Sequence, residues 1–118
     1  MAVQIKRVYE SPGPGDGYRV LVDRLWPRGL SKEKAGVDEW AREIAPSDSL
    51  RNWFGHDPSR WAEFRERYRK ELEEPVRRRV LETLKERARS GNLTLVYGAK
   101  DTVHNQAVVL MEVIAEGS

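Results

Sequence analysis

Two short polar segments of the sequence contain residues that could bind an anion. The first holds Asp23, Arg24, Trp26 and Arg28, with Lys32 just beyond it, and the second holds Lys100, Asp101, His104 and Asn105. Guanidinium groups match the oxygens of a phosphate or carboxylate with paired hydrogen bonds. We therefore predict a site for a phosphate-bearing or other anionic ligand. Its binding residues would be Arg24, Trp26, Arg28, Lys32, Lys100 and Asn105.

The same segments contain candidates for proton transfer. His56 and His104 are the two histidines of the chain, and each lies near an aspartate in sequence. Imidazole titrates near neutral pH, so either histidine could act as a general acid or base that Asp57 or Asp101 orients. Each could instead only hydrogen-bond a loop carbonyl. The candidate catalytic residues are Asp23, His56, Asp101 and His104.

Other interpretations of these residues stay open. The two arginines of the first segment could pair with Asp23, Asp57 or Asp101 in a structural ion network. Trp26 precedes a proline and could stack on a base, or it could pack over the sheet edge. The sequence has no tightly spaced ligand motif such as H-E-x-x-H, so we predict no metal site and name no cofactor.

The polar segments follow two apolar runs that we predict to be buried strands. Residues 18–22 and 93–97 each contain a run of three apolar side chains, as strands covered on both faces do. Helical segments lie between them, so the strands should be parallel and joined by a crossover. Their carboxyl ends then meet at one sheet edge, where open α/β proteins bind ligands.

Start and stop signals predict helices around these strands. Ser31 and Ser47 are candidate N-caps of two short helices, Asp57 and Pro58 begin a longer one, and Pro75 begins another that Gly91 ends. The predicted core-facing stripes are Trp61, Phe64, Tyr68 and Leu72, then Val76, Val80, Leu84 and Ala88. Asp101 or Thr102 should cap the last helix, whose apolar face would include Val103 and Ala107. Residues 37–44 fit either a helix or a strand.

These elements predict one α/β domain over residues 1–118. Its sheet would be small and mostly parallel, with about four strands flanked by helices in a three-layer sandwich. The turn-rich loop at residues 11–17 has three glycines but no Gly-Lys-Ser/Thr ending, so we do not interpret it as a phosphate-binding loop.

Composition limits the function further. The 118 residues carry a net charge of +2, although 15 of the 21 basic residues are arginine. The absence of cysteine excludes thiolate chemistry and disulfides. No apolar run approaches the roughly 20 residues of a membrane span, and the N-terminus lacks the apolar core of a signal peptide. We therefore expect a cytoplasmic protein with no membrane partner.

Three long motifs give a resemblance to a known family. VLVDRLWPRGLSKEKA, LRNWFGHDPSRWAEFRERYRKEL and LTLVYGAKDTVHNQAVVL together resemble the DUF488 family, in particular its YeaO-like branch. More distant members carry Asp-Val-Arg with a nearby proline, and a late Lys-Asp followed by Cys-His. Asp23, Arg24 and Pro27 match the first pattern; Lys100, Asp101 and His104 match the second. The resemblance implies a fold and little chemistry. Where those relatives tend to carry cysteine, this chain has His104-Asn105 and no thiol, so a cysteine-based mechanism of the wider family does not carry over to it.

The sequence therefore predicts a polar cleft at the carboxyl ends of the strands that binds a phosphorylated small molecule or another anion. Whether the protein is also a small enzyme stays open. One alternative is a nucleic-acid-binding module that uses the arginine-rich helices of residues 58–90, although the near-neutral net charge counts against it. The other alternative is a non-catalytic interaction domain.

Overall fold

A four-stranded parallel sheet organises the protein. The computed structural model describes residues 2–117. The strands are β1 (Val3–Arg7), β2 (Tyr18–Leu21), β3 (Glu39–Trp40) and β4 (Leu93–Tyr97). They lie in the order β1-β4-β2-β3, and each neighbouring pair is parallel. The predicted small α/β fold is confirmed, and the strands that were expected to be mostly parallel are all parallel.

Five α-helices connect and cover these strands. They are α1 (Lys32–Ala35), α2 (Asp48–Phe54), α3 (Trp61–Glu71), α4 (Pro75–Ser90) and α5 (Gln106–Glu116), with 3-10 turns at Arg42–Ile44 and Pro58–Arg60. Ser31 and Ser47 accept backbone N–H bonds as the predicted N-caps, and Asp57 does so just before Pro58. Residues 37–44 were predicted to form either a helix or a strand. They contain both a short strand and a 3-10 turn.

The two faces of the sheet are covered unequally. Val20, Leu93 and Leu95 belong to a large core that α2, α3, α4 and α5 complete. Leu21 and Val96, which point to the opposite face, join a smaller cluster with Ala35 of α1. Because α1 is a single turn, connecting segments supply most of the cover on that face. The third layer of the predicted sandwich is therefore thin.

The buried stripe of α4 is rotated from the predicted one. Val76 is 56% exposed, whereas Leu81, Leu84 and Ala88 are buried. Arg77 faces the protein in place of Val76, because its Nε donates to the carbonyl of Ala45 at 2.9 Å. The positions four, seven and eleven residues after Arg77 then form the inner face of the helix.

A buried ion cluster attaches the glycine-rich loop to the sheet. Asp16 pairs with Arg19 of β2 and with Lys6 of β1 at 3.0 Å, and it also accepts the backbone N–H of Gly13. Burial alone would raise the pKa of Asp16, but the Gly13, Lys6 and Arg19 donors outweigh it and lower that pKa below 3.8. The composition of the loop had argued against phosphate binding and gave no sign of this ion cluster.

We expect Asp16→Ala to lower the free energy of unfolding by about 3 kcal/mol, because it leaves the Arg19 guanidinium buried without its carboxylate. Urea denaturation at pH 7 measures the change. The exposed α3 substitution Glu66→Ala should alter stability by no more than about 0.5 kcal/mol. In the wild type, the contribution of Asp16 should be lost as the pH falls through its lowered native pKa. Equal stabilities for the two variants would contradict this account.

Candidate functional site

Asp23 connects three elements at the carboxyl edge of the sheet. It follows β2, and its Oδ2 accepts the N–H of Gly98, just after β4, at 2.8 Å. Its Oδ1 accepts from the side-chain amide of Gln106, the first residue of α5. A Cβ atom at position 98 would lie 3.0 Å from Oδ2, so the glycine allows this close approach. The structure thus brings the two polar segments together, as the parallel topology predicted.

The environment of Asp23 disfavours its charge. Burial raises the pKa of this carboxyl above 3.8, and the Gly98 and Gln106 donors only partly oppose the rise. Both carboxylate oxygens have a donor from the protein. The main role of Asp23 is therefore structural: it connects the end of β2 with the end of β4 and the start of α5.

The second polar segment forms a tight turn around Asp101. Its Oδ1 accepts the N–H groups of Val103 and His104, and its Oδ2 lies 2.9 Å from His104 Nδ1. The backbone donors of His104 and Val103, together with the His104 side chain, lower the pKa of Asp101 to about 2. The predicted Asp101–His104 pairing is present.

The start of α5 differs from the prediction. Asn105, not Asp101 or Thr102, is the N-cap, and its side chain accepts the N–H of Val108. Asp101 uses its carboxylate within the preceding turn, which delays the helix, and Val103 is 60% exposed before the helix begins. Backbone donors at positions 101–102 therefore do not form a helix N-terminus that could bind an anion.

An open cleft of about 270 Å³ lies beside Asp23. Five predicted site residues line it: Asp23, Arg24, His56, His104 and Asn105. Two further polar residues, Arg51 and Gln106, also line the cleft and were not among the predicted site residues. The apolar residues of the lining include Leu25, Ala45, Pro46, Phe54, Phe64 and Ala99. The cleft therefore has an apolar interior and several polar groups, as small-molecule sites usually have.

Two guanidinium groups meet on one carboxylate at the cleft. Arg24 Nε lies 3.2 Å from Asp48 Oδ1, and Arg51 Nη2 lies 3.4 Å from the same oxygen. About half of each arginine side chain is exposed to solvent. The partner of Arg24 is thus Asp48, not one of the three aspartates that the ion-network interpretation proposed. Within residues 2–117, Asp48 is the one carboxylate that pairs with Arg24.

The remaining predicted residues lie outside the lining of the cleft. Trp26 packs edge-on against Trp40, with ring centroids 5.5 Å apart, and its Nε1 donates to the carbonyl of Leu30 at 2.6 Å. Arg28, Lys32 and Lys100 are exposed, and Lys32 begins α1. Asp101 contributes through its contact with His104.

His56 has a backbone conformation that is uncommon among residues other than glycine. Its φ of 58° lies in the left-handed region, directly after Gly55, which has a φ of 53°. Non-glycine residues rarely adopt this region, and they do so preferentially at functional sites. Asp57, the expected orienting partner of His56, accepts instead from Ser59. His56 thus lines the cleft without the predicted partnership with Asp57.

Arg51 and Gln106 are the polar cleft residues that sequence reasoning missed. Both lie within helices, where arginine and glutamine are common on solvated faces, so their residue types carried no signal. A signal did exist for Arg51: the Ser47 cap fixes α2, and Asp48 lies three residues before Arg51 on the same helix face. Gln106 lies one residue beyond the true N-cap, Asn105. Because α5 was predicted to begin earlier, this position was not recognised.

Residues 2–117 contain neither a candidate metal cluster nor a helix that could span a membrane. In this range no three histidine, aspartate or glutamate side chains come together in a way that could hold a metal ion. None of the helices described has both the length and the apolarity needed to cross a bilayer.

Fold and site together define a small parallel α/β protein with a cleft at the carboxyl edge of its sheet. The chain belongs to the DUF488 family: the family model described as "Inactive DUF488-N3 subclade" matches residues 2–117. This confirms the resemblance that the sequence motifs indicated.

The relatives agree with this assignment. The chain is 45% identical over 114 residues to uncharacterized protein YeaO of Escherichia coli (strain K12), covering 95% of this chain and 96% of YeaO. It is 38% identical over 112 residues to uncharacterized protein Rv3073c of Mycobacterium tuberculosis (strain ATCC 25618 / H37Rv), covering 95% and 92% of the two chains. No solved structure matches this chain.

The connecting role of Asp23 predicts different outcomes for two substitutions. Asp23→Asn retains an oxygen for Gly98, and its amide can donate to the Gln106 oxygen once that side chain rotates by half a turn. At pH 7 it should be at least as stable as the wild type, because the buried charge is removed. Asp23→Ala should lose about 1–3 kcal/mol, since the Gly98 and Gln106 donors lose their acceptor.

Urea denaturation between pH 3 and pH 7 tests both expectations. Because the pKa of Asp23 is raised in the folded protein, folding favours the protonated carboxyl. The free energy of unfolding of the wild type should therefore fall as the pH rises through that native pKa. Asp23→Asn should lack this loss, so its advantage should vanish at low pH. An asparagine variant as unstable as the alanine variant at pH 7 would show that the charge itself is required.

Proposed function

We propose that the protein binds a small anionic molecule in the cleft beside Asp23 and does not transform it. The anion would be a carboxylate or a phosphate-bearing compound. The polar groups that would receive it are the guanidinium groups of Arg24 and Arg51. His104, Asn105 and Gln106 line the cleft and would contact the rest of the ligand.

The convergence of Arg24 and Arg51 on Asp48 is the observation that carries this proposal. The two guanidinium groups share one carboxylate, Asp48, so the arginine pair itself keeps one positive charge in excess. Arginine presents several donors in a fixed plane, and a single oxygen of Asp48 engages only one nitrogen of each arginine. Within residues 2–117 no hydrogen bond engages the other nitrogens of either arginine, so they can hold a second anion bidentately.

Binding without chemistry agrees with the site carboxylates and with the family description. Asp23 is engaged by Gly98 and Gln106, and one Asp101 oxygen is engaged by two backbone N–H groups. Carboxylates used in this way are poorly placed to accept a proton from a ligand. The matching family model is described as an inactive subclade. A cytoplasmic location remains a prediction from the sequence.

Acid–base catalysis is the second candidate function. The contact between His104 Nδ1 and Asp101 favours it, because a carboxylate on one imidazole nitrogen orients the other toward a substrate. His56 and Asp23 would complete the predicted catalytic group. Turnover of a bound ligand that is abolished by His104→Gln, with binding retained, would favour this candidate over simple binding.

Calorimetric titration tests the proposal with a panel of phosphate, acetate, benzoate and phenyl phosphate at low ionic strength. Arg51→Ala should weaken the binding of the anions that bind by about tenfold or more, as expected for losing a charge-assisted hydrogen bond. Asp48→Asn should tighten binding, because it removes the carboxylate that competes for both arginines.

Arg28→Ala is the matched control. It removes an exposed arginine of the same polar segment that does not line the cleft, so it should leave the anion affinities unchanged. The proposal is wrong if none of the four anions binds, or if Arg28→Ala weakens binding as much as Arg51→Ala. A response only to a short oligonucleotide that disappears with added salt would favour the nucleic-acid alternative instead.

A further inference from the structure

We infer that the ligand of this cleft is a ring-bearing anion with a single acidic group: a flat apolar body that carries one carboxylate or one phosphate group. The inference rests on the proposed function and adds the chemical class of the ligand. Its three supports are the aromatic wall of the cleft, the charge at the cleft and the size of the cavity.

A continuous set of stacked rings forms the aromatic wall. Phe54 stacks on Phe64 with centroids 4.4 Å apart, and Trp61 stacks on the same ring at 5.7 Å. His104 stands edge-on to Trp61 at 5.3 Å. Phe54, Phe64 and His104 all line the cleft. Ring faces and edges pair favourably with another aromatic ring, so this wall suits a flat ligand better than a sugar or an inorganic ion.

Apolar groups complete the cavity around this wall. Ala45, Pro46 and Ala99 line the interior, and Leu25, which is 66% exposed, lies at the rim. A large apolar side chain left in solvent next to a cleft gains buried area when an apolar ligand enters. An inorganic phosphate would bury none of this surface. The apolar lining therefore has a use only if the ligand has an apolar body.

The charge of the cleft limits the ligand to one anionic group. Arg24 and Arg51 share one compensating carboxylate, Asp48, so this arginine pair keeps one positive charge in excess. Asp23 lies on the lining of the same cleft and repels further negative charge when it is ionised. A di- or triphosphate would carry more charge than these groups can balance.

The cavity volume fits one ring and its anionic group. An apolar cavity of about 150 Å³ is enough to hold benzene. The present cleft measures about 270 Å³, so a single ring leaves room for a carboxylate or a phosphate near the arginines. A dinucleotide would extend well beyond it.

Two matched pairs of probes test the inference by calorimetric titration of the wild type. Benzoate should bind at least tenfold more tightly than acetate, and phenyl phosphate at least tenfold more tightly than inorganic phosphate. Uncharged benzyl alcohol should bind far more weakly than benzoate, because it lacks the anionic group. Adenosine triphosphate should bind no more tightly than phenyl phosphate.

Ala99→Leu tests whether the ring enters the cleft. The larger side chain fills the apolar interior and leaves both arginines intact, so it should remove most of the preference for benzoate over acetate. A thermal melt without ligand shows whether this variant folds. If it does not fold, the comparison of ring-bearing and small anions in the wild type still tests the inference.

Each outcome has a separate meaning. Equal affinities for the ring-bearing and the small anions would overturn this inference and leave the proposed function standing. A failure of all the anions, or benzyl alcohol binding as tightly as benzoate, would overturn the proposed function as well. A preference for benzoate that Ala99→Leu leaves unchanged in a folded variant would place the ring elsewhere and overturn the inference.

Discussion

The hydrogen bond from the Gly98 backbone to Asp23 is the contact on which the cleft depends. In this parallel sheet, β2 and β4 are neighbours whose carboxyl ends meet at one edge, and Asp23 joins them just beyond the last ladder pairs. The same carboxylate receives Gln106 and so fixes the beginning of α5. Arg24 follows Asp23 directly, which places its guanidinium at the cleft. One partly desolvated carboxylate thus sets the geometry of both walls.

The structure uses its charged groups in two contrasting ways. Around Asp16 the ions are buried and the carboxylate has several donors, which stabilises the attachment of the loop to the sheet. At the cleft, Arg24 and Arg51 are half exposed and share one carboxylate oxygen. A buried charge must be paired to be tolerated, whereas an exposed guanidinium keeps donors for a ligand. This difference explains why the second group suits binding.

The sequence predicted most of the fold because the local signals were strong. Consecutive apolar residues identified β2 and β4, and the caps at Ser47 and Asp57 located α2 and the turn before α3. Asp23 and His104 were expected at one edge because parallel strands share it. The start of α5 was misplaced because Asp101 and Asn105 are equally good caps in isolation. Arg51 was missed because only the packing of α2 brings it beside Arg24, through Asp48.

The central claim is that an anion binds at Arg24 and Arg51 beside Asp23. The most direct measurement is a two-dimensional ¹H–¹⁵N NMR titration of the ¹⁵N-labelled protein with phenyl phosphate. Binding at this place should change the chemical shifts of the Arg51 side chain and of the Gly98 and Gln106 backbone most strongly. Shift changes confined to the exposed arginines of α4, or none at saturating ligand, would contradict it.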